Sequence, residues 1–353
     1  MHLRGRFIAL TMCIALLCSC KTSTVEIGVP ELQGTKTRTL HFQVSSNLQP
    51  EVLEQTDAFA DRVAALSGGM LQIEVMTGLP DDKTVKTKEA DLAFLSNIQM
   101  AQADQLFSMF SMPFLYDDDT HMSVALNSEE IRSVLSQRLS SRGMVPLMAV
   151  YNGSNYLATD RRELRKPSDF KGLVIAMRTD NADKLMFFEA LGAKVLPYTL
   201  STVVPLFKTK VEILPKDLKL PSEIVTVDTV ELSLEQTLQL LPDPQTLYLI
   251  NTYHSLSPLW IVANRDVMSQ LSDYERAILD EGLAGLVSEL ERLKIAHEQE
   301  LLTQVKAQGI TVVEVERSTI ASALYGNKGS GTDRYKPPVY FDNRIYKMIQ
   351  SFA

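Results

Sequence analysis

Histidines, serines, cysteines and clustered carboxylates are the side chains that could do chemistry in this chain, and their spacing points away from it. The five histidines, His2, His41, His121, His254 and His297, stand at no metal-ligand spacing from one another, so a histidine-held zinc or copper ion is not expected. Asp117-Asp118-Asp119 lacks the Asp-x-Asp-x-Asp-Gly order of a calcium loop and reads as a solvated acidic turn. A serine nucleophile would need Gly-x-Ser-x-Gly on a strand-to-helix elbow, and the chain has no such run. Gly326-Asn327-Lys328-Gly329-Ser330-Gly331 offers no Lys-Ser or Lys-Thr after its glycine and follows the last strand, which makes it a loop, not a phosphate cradle. Cys13, Cys18 and Cys20 are the only cysteines and all lie at the N-terminal end. No catalytic residue, metal or cofactor is therefore expected, and the chain does not read as an enzyme.

With 353 residues, 45% hydrophobic and 22% charged, the chain has material for two cores. A net charge of −8 without a basic stripe excludes nucleic acid as a natural partner. Arg4 and Arg6 precede a short apolar run from Phe7 to Leu17, the n- and h-regions of an export signal. That run falls well short of the roughly 20 residues of a spanning helix. Its end, Leu17-Cys18-Ser19-Cys20, resembles a bacterial lipobox, which implies that Cys20 is diacylated and becomes the new N-terminus; a plain secretory signal is the alternative. Residues 1–19 then form the signal and residues 20–37 a flexible tether. The expected location is the periplasm, anchored to a membrane through Cys20.

Between the tether and the tail, elements alternate. Thr39 to Val44 and Leu71 to Val75 alternate as strands, and Pro50 opens a helix stopped by Ser67-Gly68-Gly69. Ala90 to Leu95 adds a third apolar run, so strand, helix, strand predicts a parallel α/β unit. Further helices are expected over Ser128 to Leu139 and Asn181 to Leu191, with the alternation restarting after Tyr151. Ser272 and Glu275 form a capping box before a long periodic stretch that runs to Gly309, and Ile310 to Val315 reads as a returning strand.

Six stretches in order resemble the solute-binding subunit of tripartite ATP-independent periplasmic (TRAP) transporters. They are Ser67 to Val75, Met112-Pro113-Phe114-Leu115-Tyr116-Asp117 with His121, Tyr151-Asn152-Gly153, Asp169 to Ile175, Val227-Asp228-Thr229-Val230-Glu231, and His254-Ser255-Leu256-Ser257-Pro258. The resemblance implies an α/β fold of two lobes joined by crossing segments, with a ligand cleft between them. It places residues 38–150 plus about 250–290 in the first lobe, 151–249 plus about 291–318 in the second, and 319–353 in a C-terminal tail. Implied partners are a small-molecule ligand and the integral-membrane permease, and some relatives pair with a helical-repeat periplasmic protein.

The resemblance also implies where ligand contacts fall, and this chain departs from the pattern there. The family's carboxylate-binding Arg corresponds to Ala176; Arg178, two residues on and on the same strand face, either replaces it or is an exposed pairing residue. Asn155 stands where some members carry a second Arg, and Leu232 where a polar Asn is usual. Ser45, Leu95, Tyr151, Leu200 and Trp260 fall at or near other cleft positions, with core packing the alternative for Tyr151, Leu200 and Trp260. The expected cleft is apolar and its ligand hydrophobic or weakly polar, since a carboxylate buried without an Arg is costly. A docking lipoprotein that binds a protein partner on the same scaffold is the alternative function.

Overall fold

A computed structural model describes residues 37–46, 50–178, 182–198, 208–213, 222–240, 247–254, 256–325 and 339–353. The export signal, Cys20, most of the tether and Leu200 lie outside these residues. The strands in chain order are β1 (Arg38–Ser45), β2 (Leu71–Gly78), β3 (Leu92–Ser96), β4 (Met144–Ser154), β5 (Tyr156–Thr159), β6 (Val174–Arg178) and β7 (Lys194–Tyr198). They continue as β8 (Lys210–Ile213), β9 (Glu223–Thr226), β10 (Thr229–Leu232), β11 (Tyr248–Asn251), β12 (Leu256–Asn264) and β13 (Thr311–Glu314).

Two mixed sheets organise the two lobes. The first has the order β2-β1-β3-β12-β4, with β1 parallel to β2 and β3 and with β12 antiparallel to β3 and β4. The second has the order β13-β11-β5-β10-β6-β7, and β8 and β9 pair as a separate antiparallel ribbon. The parallel part matches the strand-helix-strand pattern of the sequence. The antiparallel insertion of β12 between β3 and β4, strands far upstream in the chain, leaves no local signature.

Each face of the first sheet has its own core. On one face Phe42 packs edge-on to Phe59 at 5.9 Å and beside Phe94 at 5.0 Å, burying the stripe of Thr56, Phe59 and Val63 on the helix Pro50–Leu66. On the other, Trp260 lies between Phe107 and Phe110 at 5.1 and 5.3 Å and donates its indole N–H to Asn97 Oδ1 at 2.9 Å. Its buried N–H is thereby satisfied, and Trp260 is a core residue.

A 35-residue helix, Asp273–Ala307, starts at the capping box of Ser272 and Glu275 that the sequence indicates. Its first half buries Leu279, Leu283, Leu286 and Leu290 with the Phe42 core, and its last turns bury Leu301 and Val305 against Leu249 and Val230 of the second sheet. It therefore spans both lobes. Gly282 lets it approach the neighbouring helix: a Cβ there would come within 2.8 Å of Val63 Cγ2. The two chain crossings, β4 to β5 and β11 to β12, complete the connection.

The described part of the C-terminal tail, 319–325 and 339–353, carries regular structure. Helices Arg317–Tyr325 and Asn343–Gln350 form, and the second docks on the first lobe. Asp117 N–H donates to His121 Nδ1 at 3.0 Å, which leaves the proton on Nε2 for the Ile349 carbonyl at 2.8 Å. Replacing Trp260 by Ala is expected to lower unfolding stability by about 3–5 kcal/mol, because it opens a cavity and strands Asn97. Urea denaturation followed by circular dichroism measures this.

Candidate functional site

The carboxyl ends of β1 and β3, the end of β4 and the start of β12 share one edge of the first sheet, and this edge faces the carboxyl ends of β6 and β10. Ligand crevices in α/β folds form at such edges. A cavity of about 260 Å³ lies there. The first lobe contributes Ser96, Asn97 and Ser257, and the crossing strand contributes Asn152 to Asn155. Across from them stand Arg178, Lys184, Ser233 and Glu235, with Lys294 of the long helix.

Glu231 organises this wall. Alternation along β10 sends Val230 and Leu232 into the core of the second lobe, so Thr229 and Glu231 share the opposite face. The Glu231 side chain is fully buried. Its Oε1 accepts from Lys184 Nζ at 2.8 Å and from Asn155 Nδ2 at 3.1 Å, and lies 3.1 Å from His254 Nε2. Its Oε2 accepts from the backbone N–H of Arg178 at 3.1 Å. Burial alone would push this carboxyl up; the Lys184 ammonium and the His254 imidazole reverse that and hold it well below the usual carboxylate range. The other acid of the same motif, Asp228, accepts from Val174 N–H at 3.0 Å and from Arg161 Nε at 3.1 Å. Asp228 and Glu231 thus pin the first and last residues of β6.

A second polar group lies where the long helix meets the crossing strand. Glu291 Oε1 accepts from Tyr151 N–H at 3.1 Å, and Glu298 Oε2 accepts from the Tyr151 hydroxyl at 2.9 Å. Burial raises both carboxyls above their ordinary values. Lys294 Nζ is 3.4 Å from Glu235 and 3.7 Å from Glu298. Gly153, at φ +96°, crosses directly over it, and a Cβ there would stand 2.7 Å from Lys294 Cε. The Tyr-Asn-Gly run needs its glycine for both reasons.

Of the residues expected at the cleft, Asn155 and Arg178 line this cavity, and Ser45 lies half-buried at the same sheet edge. Leu95, Ala176, Leu232 and Trp260 do not line it. Leu95 faces Trp260 across the β3–β12 pair, and Ala176 and Leu232 are buried with Tyr156, Ala158 and Val230. Tyr151 is also buried, its hydroxyl on Glu298. The expectation of an apolar cleft is corrected accordingly: Leu95 and Leu232, which suggested it, are core residues, Leu200 lies outside the described residues, and the wall of this cavity is polar and carries cations. Sequence reasoning missed Ser96, Asn97, Lys184, Glu235 and Lys294. One signal was available for Lys184, which shares a buried helix face with Phe187 and Phe188 and, as a buried cation, demands an acidic partner. Among the described residues no group of three or more His, Cys, Asp or Glu side chains could hold a metal ion.

Glu231→Gln leaves Lys184 buried without its counter-charge and should reduce stability at pH 7 by about 3–5 kcal/mol. Because the folded-state pKa of Glu231 is depressed, its contribution is present above the unfolded value of about 4.3 and lost as pH falls toward the folded one. The gap between wild type and variant should therefore narrow from pH 7 to pH 3 in urea denaturation.

Residues 42–211 match the family model described as bacterial extracellular solute-binding protein, family 7. A solute-binding protein of Verminephrobacter eiseniae is 22% identical over 278 residues, covering 76% of this chain and 77% of that protein. Among solved structures, a TRAP periplasmic solute-binding protein of Ochrobactrum anthropi superposes with a TM-score of 0.67 at 18% identity, over 90% of this chain and 91% of that one. The sugar acid binding protein of Advenella mimigardefordensis, in complex with galactonate, superposes at 0.59 and 20% identity over 90% and 99%. A TRAP protein of Anaerococcus prevotii with bound glucuronate does so at 0.61 and 16% over 90% and 98%. Over residues 42–211 the chain is thus similar to the family 7 extracellular solute-binding proteins, and it has the two-lobed fold of the solved TRAP periplasmic solute-binding proteins.

Proposed function

We propose that this receptor binds a small organic monoanion between its lobes and delivers it to a TRAP permease in the membrane. The observation that carries this reading is the presence of Arg178 and Lys184 together in the wall of a polar cleft, beside the hydroxyls of Ser96, Ser233 and Ser257. Hydroxyl, amide and guanidinium groups suit a carboxylate and adjacent oxygens. Three cations, Arg178, Lys184 and Lys294, are set against Glu231, Glu235 and Glu298 in and directly behind the wall. That balance favours one carboxylate over two. Galactonate and glucuronate in the fold relatives are acids of this kind and support the reading.

Capture is binding without bond chemistry, and closure follows from tighter contacts in the closed state. The docking alternative gains no support from any feature described above. We further propose that Cys20 carries the lipid anchor; among the described residues no helix is long and apolar enough to cross a membrane.

In a thermal-shift screen of organic acids, at least one carboxylate should raise the melting temperature. Arg178→Ala should weaken its affinity by about ten- to hundredfold in titration calorimetry, the loss of a charge-assisted hydrogen-bond pair. Unchanged affinity would refute the assignment. Metabolic labelling with a fatty acid should mark the wild-type chain and fail to mark Cys20→Ser.

A further inference from the structure

Two aromatic residues hold the left-handed backbone that bulky side chains rarely adopt, Phe114 at φ +58° and Tyr253 at φ +50°. They lie in different parts of the molecule. Phe114 is in the first-lobe loop between the short helix Gln105–Ser111 and the helix Asp119–Asn127, and Tyr253 is in the second crossing, between β11 and β12. One side chain joins them. The Arg317 guanidinium carbon stands 5.2 Å from the centre of the Tyr253 ring and 6.0 Å from that of Phe114. Its Nη2 donates to the Tyr116 carbonyl and lies 3.7 Å from Asp117 Oδ1, while its Nε is buried without a hydrogen-bond partner. Arg317 is itself moored to the second lobe: it follows β13, and the N–H groups of Val315 and Glu316 donate to the Asn251 and Arg165 carbonyls at 3.4 and 3.2 Å. The loop it reaches is moored to the first lobe, where the Leu115 carbonyl also accepts from Gln350 Nε2 at 2.7 Å. Beside Arg317 the Phe114 ring meets Phe187 of the second lobe at 5.1 Å.

We propose that Arg317 is a latch between the lobes: carried by the second, it grips the Phe114–Asp117 loop of the first and packs on Tyr253 in the crossing, and so holds the lobes at the separation in which both line the polar cavity. Left-handed backbone at an aromatic residue persists only where its surroundings over-determine it, and a buried guanidinium N–H without an acceptor is retained only where other contacts fix the side chain. Three locally unfavourable states thus meet at one contact between the lobes. Parting the contact relieves all three, since both backbones can leave the left-handed region and Nε reaches water. It also loses the charge-assisted bond to Tyr116 and the two ring contacts together. A contact with strain on one side and bonds on the other has two discrete states, held and released, which is what a lobe movement requires. Arg317 lines no part of the polar cavity, so it acts through the lobe geometry and not through contact with a ligand.

Distances between the lobes test this. The chain from residue 21 onward has no cysteine, so cysteines placed at exposed Gln102 in the first lobe and exposed Glu189 in the second take one spin label each. Double electron–electron resonance on the dialysed protein, with no ligand added, gives the distribution of their separation. Arg317→Ala should raise the population outside the principal wild-type separation roughly tenfold, the equivalent of one charge-assisted hydrogen bond. Arg317→Lys keeps the cation and loses the fork, and should raise it less. Tyr253→Gly removes the ring and frees the backbone, and should act in the same direction as Arg317→Ala. Ser322→Ala, exposed on the same helix as Arg317, should leave the distribution unchanged. If Arg317→Ala does not melt cooperatively, Arg317→Lys and Tyr253→Gly carry the same test. Folded variants at 317 and 253 that keep the wild-type distribution overturn the inference, as does an equal change in Ser322→Ala. No ligand enters the measurement, so its outcome is independent of the anion site.

Discussion

A carboxylate sealed from water behind the second-lobe wall is the constraint on which the cleft depends. Glu231 cannot be buried as an anion unless charge and hydrogen bonds meet it from several directions, and each group that meets it comes from a different element. Lys184 comes from the helix Ala182–Ala190, Asn155 from the first crossing, His254 from the second, and the Arg178 N–H from the end of β6. Compensating one charge therefore brings both crossing segments and the cleft wall to a single point. The Tyr198 hydroxyl, donating to the Glu231 carbonyl at 2.6 Å, ties β7 to the same residue.

The second lobe can place Arg178 at the cleft wall only because its own acids hold the backbone there. Asp228 and Glu231 fix the two ends of β6, so the direction of Arg178 follows from a strand that cannot slip. The first lobe supplies mostly neutral donors and acceptors, and its rigidity comes from elsewhere, from the aromatic packing around Phe42 and Trp260. The long helix couples the two, with leucines in the first core and Leu301 and Val305 in the second. Its carboxylates Glu291 and Glu298 grip the crossing strand at Tyr151, and a lobe movement must work against those bonds.

Much of the fold was legible from the chain because local rules and tertiary structure agree. The alternation of β1 and β2, the Pro50 helix with its Ser67-Gly68-Gly69 stop and the Ser272–Glu275 capping box all carry their own signals. The resemblance pointed to Arg178 and Asn155, with strand period placing Arg178 on the face of Ala176, and both line the polar cavity. The leucines misled for a physical reason: in a four-residue strand such as β10 every side chain is buried, so hydrophobicity does not say which face meets ligand and which meets core. Lys184 and Lys294 were hidden because their roles arise from partners 47 and 59 residues away. The helices of the C-terminal segment escaped notice because their docking residues, such as His121 and Ile349, are brought together only by the fold.

The most direct test of an anion receptor organised by Glu231 is a crystal structure of the chain with a bound monocarboxylate. The carboxylate should lie within hydrogen-bond distance of the Arg178 guanidinium, between the lobes, with Lys184 still on Glu231. An acid bound elsewhere, or a neutral molecule filling the cleft with Arg178 turned out to solvent, would contradict the account.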